Sequence, residues 1–278
     1  MRYLSLLLFP ILFFSFRFSP DEIKPAQLLH QMYDSIKKIN TARLKINALE
    51  RVENTFISAV SEIRLNVQPR RLYFINRAKK LEILFDEQVS RKALVKPHVF
   101  PYISLWLDPS GNLMRKNQHY TIHELGFDFI AHSIAFTLNK DKNGIRNVKY
   151  LGRSLRNGFH CHLLEYENNN YGYTDYVVGE NETASLISAR LCVNDYLMRL
   201  KNDLLNEFGY LKKGTRLKVP TLYCRKALVF LDEKMMLPVS VSLYDDTGLF
   251  EAYDYTDIVI NQPFPRDEFR KQNGEYGF

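Results

Sequence analysis

The chain has 278 residues, 46% hydrophobic and 13% aromatic, enough for one large core or a main domain with a small companion. Its net charge of +7 is spread along the chain in short doublets such as Lys79-Lys80. That spread lacks the clustered basic stripe of a nucleic-acid surface, so nucleic acid is set aside and an anionic envelope partner or membrane surface is favoured.

In the opening MRYLSLLLFPILFFSFRFSP, Arg2 precedes an apolar run over residues 4–16. That run is shorter than the ~20 residues of a membrane-spanning helix and matches the core of a secretory signal. A signal peptide over residues 1–19 is therefore expected, with export to the periplasm or cell envelope. Arg17 and Phe18 stand where a cleavage site wants small residues, which leaves an uncleaved anchor as the alternative. Cys161, Cys192 and Cys224 are odd in number and widely spaced, and read as three buried free thiols rather than a disulfide framework.

Pro25 opens a helix whose Leu28, Leu29, Met32, Ile36 and Ile39 recur at three and four residues, an apolar stripe for a sheet. Ile63, Leu65 and Val67 alternate with polar residues until Pro69, and Leu81, Ile83 and Phe85 form a second strand. Residues 102–107 make a third, ended by the turn Asp108-Pro109-Ser110-Gly111-Asn112. A second helix is predicted from Thr121, where Thr121 and Glu124 have capping-box spacing and Phe127, Ile130, Ala131, Ile134 and Leu138 keep the helical period. Strands resume at residues 148–151 and 159–166, around a turn at Arg156-Asn157-Gly158. The last strands are residues 227–231, 239–244 and 249–260. Short turns between sequential strands imply an antiparallel meander with segregated helices, an α+β fold. Residues 176–220 break the rhythm with two helical stretches, 183–191 and 195–208, between two short strands, and read as an insertion.

In the last strand Leu249, Tyr253, Tyr255 and Val259 share one face by alternation, and Phe250, Ala252, Ile258 and Ile260 the other. Both faces are apolar, so both are covered, by a plain core or by a ligand-holding groove. Alternation alone nominates Leu65, Val67, Ile83, Phe85, Trp106, Val241 and Leu243 for such a groove.

The closing stretch LDEKMMLPVSVSLYDDTGLFEAYDYTDIVIN resembles the lipoprotein-carrier superfamily of LolA-like proteins, through Asp232, Leu237-Pro238, Tyr244-Asp245, Gly248, Glu251, Tyr253, Tyr255 and Asn261. Arg70-Arg71-Leu72-Tyr73 and the final Glu275-Tyr276-Gly277-Phe278 fit an uncharacterised branch of it. The resemblance implies an unclosed antiparallel β-barrel over residues 21–175 and 221–278, with helices across one face and lipid or lipoprotein acyl chains held against it. Residues 176–220 resemble a LysM module, a small βααβ unit that binds N-acetylglucosamine glycans, through Tyr176-Val177-Val178, Glu182-Thr183 and the ending LKKGTRLKVP. Asn181 replaces a usual Gly, and Ser188 a small apolar residue. That resemblance implies peptidoglycan as a partner, with Asn181, Glu182, Thr183, Asn206, Phe208 and Gly209 as glycan-contacting positions; a structural insert without ligand is the alternative.

Catalytic chemistry is weak on the page. His119, His123 and Glu124 have a spacing that can present a metal on one helix, but Thr121 as a cap puts His119 before the helix and gives Glu124 a capping role. His160 and His162 share a strand face without a third ligand, and read as surface polar residues. No phosphate loop or nucleophile elbow is present. The sequence therefore predicts a non-enzyme with no cofactor and no metal. A structural cell-wall glycan binder without lipid is the alternative, and a His-dependent metallohydrolase the lesser one.

Overall fold

The structure is a computed structural model that describes residues 23–278; the signal peptide expected at residues 1–19 lies outside them. In chain order the elements are α1 (Pro25–Lys37), β1 (Thr41–Val52), β2 (Thr55–Asn66), β3 (Arg71–Asn76), β4 (Leu81–Asp86), β5 (Ala93–Pro97) and β6 (Leu105–Leu107). There follow α2 (Asn112–Arg115), α3 (Phe127–Lys140), β7 (Val148–Arg156), β8 (Phe159–Glu167) and β9 (Tyr173–Val177). The last are α4 (Ala184–Leu191), α5 (Asp195–Lys201), β10 (Arg216–Pro220), β11 (Lys226–Asp232), β12 (Pro238–Tyr244) and β13 (Leu249–Ile260).

Eleven strands form one antiparallel sheet in the order β6-β5-β4-β3-β2-β1-β13-β12-β11-β8-β7. Edge strands β6 and β7 do not pair, yet Leu107 from one and Val148 from the other line the same cavity. The sheet therefore wraps around that cavity without closing: the antiparallel α+β meander expected from the alternation takes the unclosed-barrel form that the resemblance implied. Chain connectivity supplies the lid. The link from β6 to β7 must cross from one edge to the other, and α2, a 3₁₀ turn at Ile122–Glu124 and α3 lie on that crossing. Helix α1 forms as its stripe predicts and buries Leu28, Leu29, Met32 and Ile36 in the same inner core.

The outer face over β3, β4 and β5 is covered by the chain itself. Phe264, Phe269, Tyr276 and Phe278 of the C-terminal segment pack on Tyr73, Ile75, Leu84 and Leu94, and Tyr276 stacks on Tyr73 at 3.7 Å. Buried Glu268 accepts from the Arg64 guanidinium at 2.6 Å beneath that segment.

Several sequence expectations need correction. Strand β1 was not predicted: its inward positions Ala42, Leu44, Ile46 and Ala48 include two alanines, which flatten the apolar alternation. The capping box at Thr121 and Glu124 exists, but it caps the 3₁₀ turn. Gly126, at φ +119, then breaks the chain before α3, and a Cβ there would meet Leu65 at 2.8 Å. Helix α5 stops at Lys201, not Phe208, because the Asn202 side chain turns to pair with Lys218, donating to its carbonyl and accepting from its N–H. In β13 a bulge at Asp257, φ +51, reverses the alternation. Ile258 and Ile260 thereby join Tyr253 and Tyr255 on the inner core, while Val259 is exposed. The thiols are free, but Cys192 is half-buried rather than buried.

Strands β8 and β11 are paired neighbours, and the segment with β9, α4, α5 and β10 replaces the turn between them. Its base is fastened where the Thr221 N–H donates to the Gly172 carbonyl at 2.9 Å. Strands β9 and β10 make their own two-stranded sheet over a small core containing Val178, Ile187, Met198 and Leu217.

Candidate functional site

Between α3 and the inner face of the sheet lies a cavity of about 330 Å³. Its floor includes Ile46, Ala48, Ala59, Val229, Val241 and Tyr255, and its roof Phe129, Ile130, Ser133, Ile134 and Leu138. The apolar residues of that roof are only partly buried, because they look into open space rather than into a filled core. A largely apolar hollow of this kind retains apolar surface removed from water, at ~0.8 kcal/mol per methylene.

Both ends of the roof are anchored. The Arg70 guanidinium donates to the Leu125 carbonyl and, at 3.1 Å, to Asp128 at the start of α3. At the other end Asp141 accepts from Asn147 at 2.6 Å and from the Tyr166 hydroxyl at 3.0 Å. Burial raises the Asp141 pKa, but the Asn143 N–H and the Asn147 and Tyr166 side chains outweigh it and hold the carboxyl below its ordinary value of 3.8. The native state thus favours the ionised form, and its stabilisation is present above the ordinary value and lost as pH falls through the lowered one. Asp141→Ala is expected to lose about 1–2 kcal/mol near neutrality and to flatten the acid limb of the stability profile, read by urea titration at several pH values.

One wall of the cavity is polar. Glu50 on β1 stands directly opposite Glu251 on β13, an arrangement that is unfavourable for two like charges. Glu251 is fully buried and accepts from the Tyr120 hydroxyl and, at 2.7 Å, contacts His119 Nδ1. His119 Nε2 lies 3.2 Å from the Arg51 carbonyl, which only accepts, so Nε2 carries a proton. Asn194 Nδ2 donates to Tyr223, Tyr223 to Tyr120 and Tyr120 to Glu251, a relay of committed donors. Burial, then the neighbouring Glu251 charge, pushes the Tyr120, Tyr223 and Tyr253 hydroxyls well above their ordinary range, so they remain protonated donors. The Tyr253 hydroxyl donates to Glu50 Oε1 at 2.6 Å, and burial raises the Glu50 carboxyl. His119, placed before the helix by the capping argument, is thus a core residue.

Among the groove candidates, Ile83, Val241 and Leu243 line the cavity. Leu65, Val67 and Phe85 pack in the inner core outside the lining, with Phe85 edge-on to His123 at 5.1 Å. Trp106 pairs with Leu94, whose side chain lies on the outer face, and is half exposed. The sequence reading missed Glu50, Tyr120, Tyr223 and Glu251. His162, expected at the surface, is buried with the Tyr150 hydroxyl 3.2 Å from its Nδ1, because the inner face continues along β8. Among the described residues no three His, Cys, Asp or Glu side chains are grouped to hold a metal ion.

In the β9–β10 segment the loops carrying the glycan candidates lie side by side. The Leu211 N–H donates to the Glu182 carbonyl at 2.8 Å, and Thr183 bridges Tyr210. Thr183 caps α4, and the Glu182 carboxylate is taken up internally by the Gly179 N–H at 2.7 Å and the Tyr176 hydroxyl. Those bonds, the Gly179 one foremost, hold Glu182 below the ordinary carboxylate range. Asn181 sits at φ +56, the left-handed conformation that Asn tolerates in place of Gly. Asn206 and Gly209 are exposed, and the Arg199 guanidinium lies over the Phe208 ring at 4.5 Å.

This segment is bolted to the sheet. Tyr196 and Leu197 pack on Val52 and Phe250, and Asp195 accepts from buried Arg115 at 2.5 Å and from buried Arg199 at 2.9 Å. Asp195→Asn is expected to destabilise the protein by about 2–3 kcal/mol, because buried Arg199 then loses its anion and buried Arg115 keeps only Glu124 at 3.8 Å; thermal unfolding checks it.

No protein family and no curated protein matches the sequence. Among solved structures the chain is similar to the lipoprotein LppX of Mycobacterium tuberculosis, at 11% identity, a TM-score of 0.42, and coverage of 87% of this chain and 99% of that one. It is similar to LprF of Mycobacterium bovis at 12% identity and a TM-score of 0.42, over 86% of this chain and 94% of that one. A LolA superfamily protein from Nitrosomonas europaea is similar at 9% identity and a TM-score of 0.30, over 90% and 99% of the two chains. At these identities and TM-scores they stand as likenesses.

Proposed function

We propose that this is a non-catalytic protein of the cell envelope that holds an apolar ligand, the acyl chains of a lipid or lipoprotein, between α3 and the sheet. The observation that carries the reading is the apolar cavity of about 330 Å³ beneath a helix whose inward side chains are left half-buried. Burying about ten methylenes there supplies ~8 kcal/mol, which sets a micromolar scale for retention. The test is lipid extraction and native mass spectrometry of protein purified from its own envelope, with titration of the neutral fluorophore 1-N-phenylnaphthylamine. Bound lipid and saturable fluorescence support the reading; protein free of lipid that takes up no fluorophore sinks it.

Residues 176–220 are assigned the second task of holding the protein at peptidoglycan. The adjacency of loops 179–183 and 206–211 supports it, since the Leu211–Glu182 and Thr183–Tyr210 contacts bring the two loops together at one edge. The same adjacency favours the alternative, a structural cell-wall protein that binds glycan and no lipid. Pull-down on purified peptidoglycan, competed with N-acetylglucosamine oligomers, tests the glycan assignment. Retention that the oligomers do not reverse counts against it.

A further inference from the structure

The polar wall narrows what the cavity accepts. Glu251 is saturated by Tyr120 and His119, and the hydroxyls of Tyr120 and Tyr223 are both spent as donors. Tyr253 spends its proton on Glu50 Oε1. Glu50 itself lines the cavity, and among the described residues its Oε2 atom has no hydrogen-bond partner. Lys79 also lines the cavity, yet it makes no ion pair with Glu50 among the described residues. The tyrosine donors of this wall are therefore used up, while one Glu50 oxygen remains as an acceptor at the boundary of an apolar hollow. An apolar ligand that buries this oxygen without giving it a partner incurs the penalty of an unsatisfied charged group.

We propose that Glu50 makes the cavity selective for an apolar chain ending in a hydrogen-bond donor, an ammonium or a hydroxyl group, which binds Glu50 Oε2. This rests on the cavity being the ligand site. Its rival lies in the same lining: Lys79 and Lys116, which among the described residues form no salt bridge, would favour an anionic headgroup. Recognition by Glu50 and recognition by the lysines rank ligands in opposite orders.

The experiment is displacement of 1-N-phenylnaphthylamine from the intact protein at about pH 8, chosen high because burial raises the Glu50 carboxyl. The competitors share one alkyl chain: dodecylamine, dodecanol, methyl dodecanoate and dodecanoate. Dodecylamine and dodecanol are expected to bind about 10-fold more tightly than methyl dodecanoate, which only accepts, with dodecanoate weakest. An amine ahead of the alcohol identifies an ammonium as the donor, and the reverse order a hydroxyl. Glu50→Gln is expected to narrow the gap between dodecylamine and dodecanoate by about 10-fold, each affinity being referred to the variant's own fluorophore binding. Because the ranking is read first on the unaltered protein, a poorly folded variant does not decide the matter. Dodecanoate equal to or ahead of dodecylamine overturns the Glu50 assignment and leaves the cavity reading standing. A fluorophore that does not bind at all removes both.

Discussion

Replacing Glu251 with alanine is expected to destabilise the protein by about 3–5 kcal/mol, a loss large enough to leave a marginal domain partly unfolded at ambient temperature. Glu251 is the carboxylate on which Tyr120 and His119 converge. Its removal strands a buried imidazole and a buried hydroxyl and opens a void beside Phe250, which stacks on His119 at 4.4 Å. Glu251→Gln keeps the volume and an acceptor for Tyr120, and should lose about half as much. Urea midpoints for the two variants, at unchanged slope, measure the difference. Equal stability of the alanine variant and the parent would show that the network adds nothing to the fold.

Ala48→Phe is expected to weaken binding of 1-N-phenylnaphthylamine by about 100-fold while leaving the melting temperature within a few degrees of the parent. Ala48 projects from the middle of β1 into the cavity, between Ala59 on β2 and Tyr253 on β13. In a filled core the added ring would force neighbours off their rotamers, at about 1–3 kcal/mol. Here it occupies space that is already open, so its effect falls on ligand rather than on packing. The same substitution therefore distinguishes a hollow from a core: a large fall in stability with unchanged fluorophore binding would place the ligand elsewhere.

Much of the scaffold was legible because its strands alternate strongly and its turns carry their usual residues. Asn157 and Gly158, both at positive φ, make the turn between β7 and β8 where the sequence put it. The helix Pro25–Lys37 followed from its stripe. What escaped reading depends on partners far away in the chain. Strand β1 has the alternation of a half-alanine surface and gains its identity from β2 and β13 on either side. Glu50 and Glu251 look like ordinary polar positions until register sets them face to face. The bulge at Asp257 leaves no composition signal, because Asp is also common on exposed strands' ends and turns. Local pattern thus located the cavity's walls, and three of its lining residues, without showing the polar patch set into them.

The strand order has a consequence for how the chain comes to be folded. The centre of the sheet is the pair β1 and β13, the first strand against the last, whereas its two free edges come from the middle of the sequence. A chain that emerges from its amino terminus can assemble β1 to β6 early, but β1 keeps one bare edge until residues 249–260 arrive. Pairings of such long sequence separation form slowly, and an unpaired strand edge recruits other chains in the meantime. Folding of this protein is therefore a wait for its last strand, and its refolding yield should fall steeply with concentration.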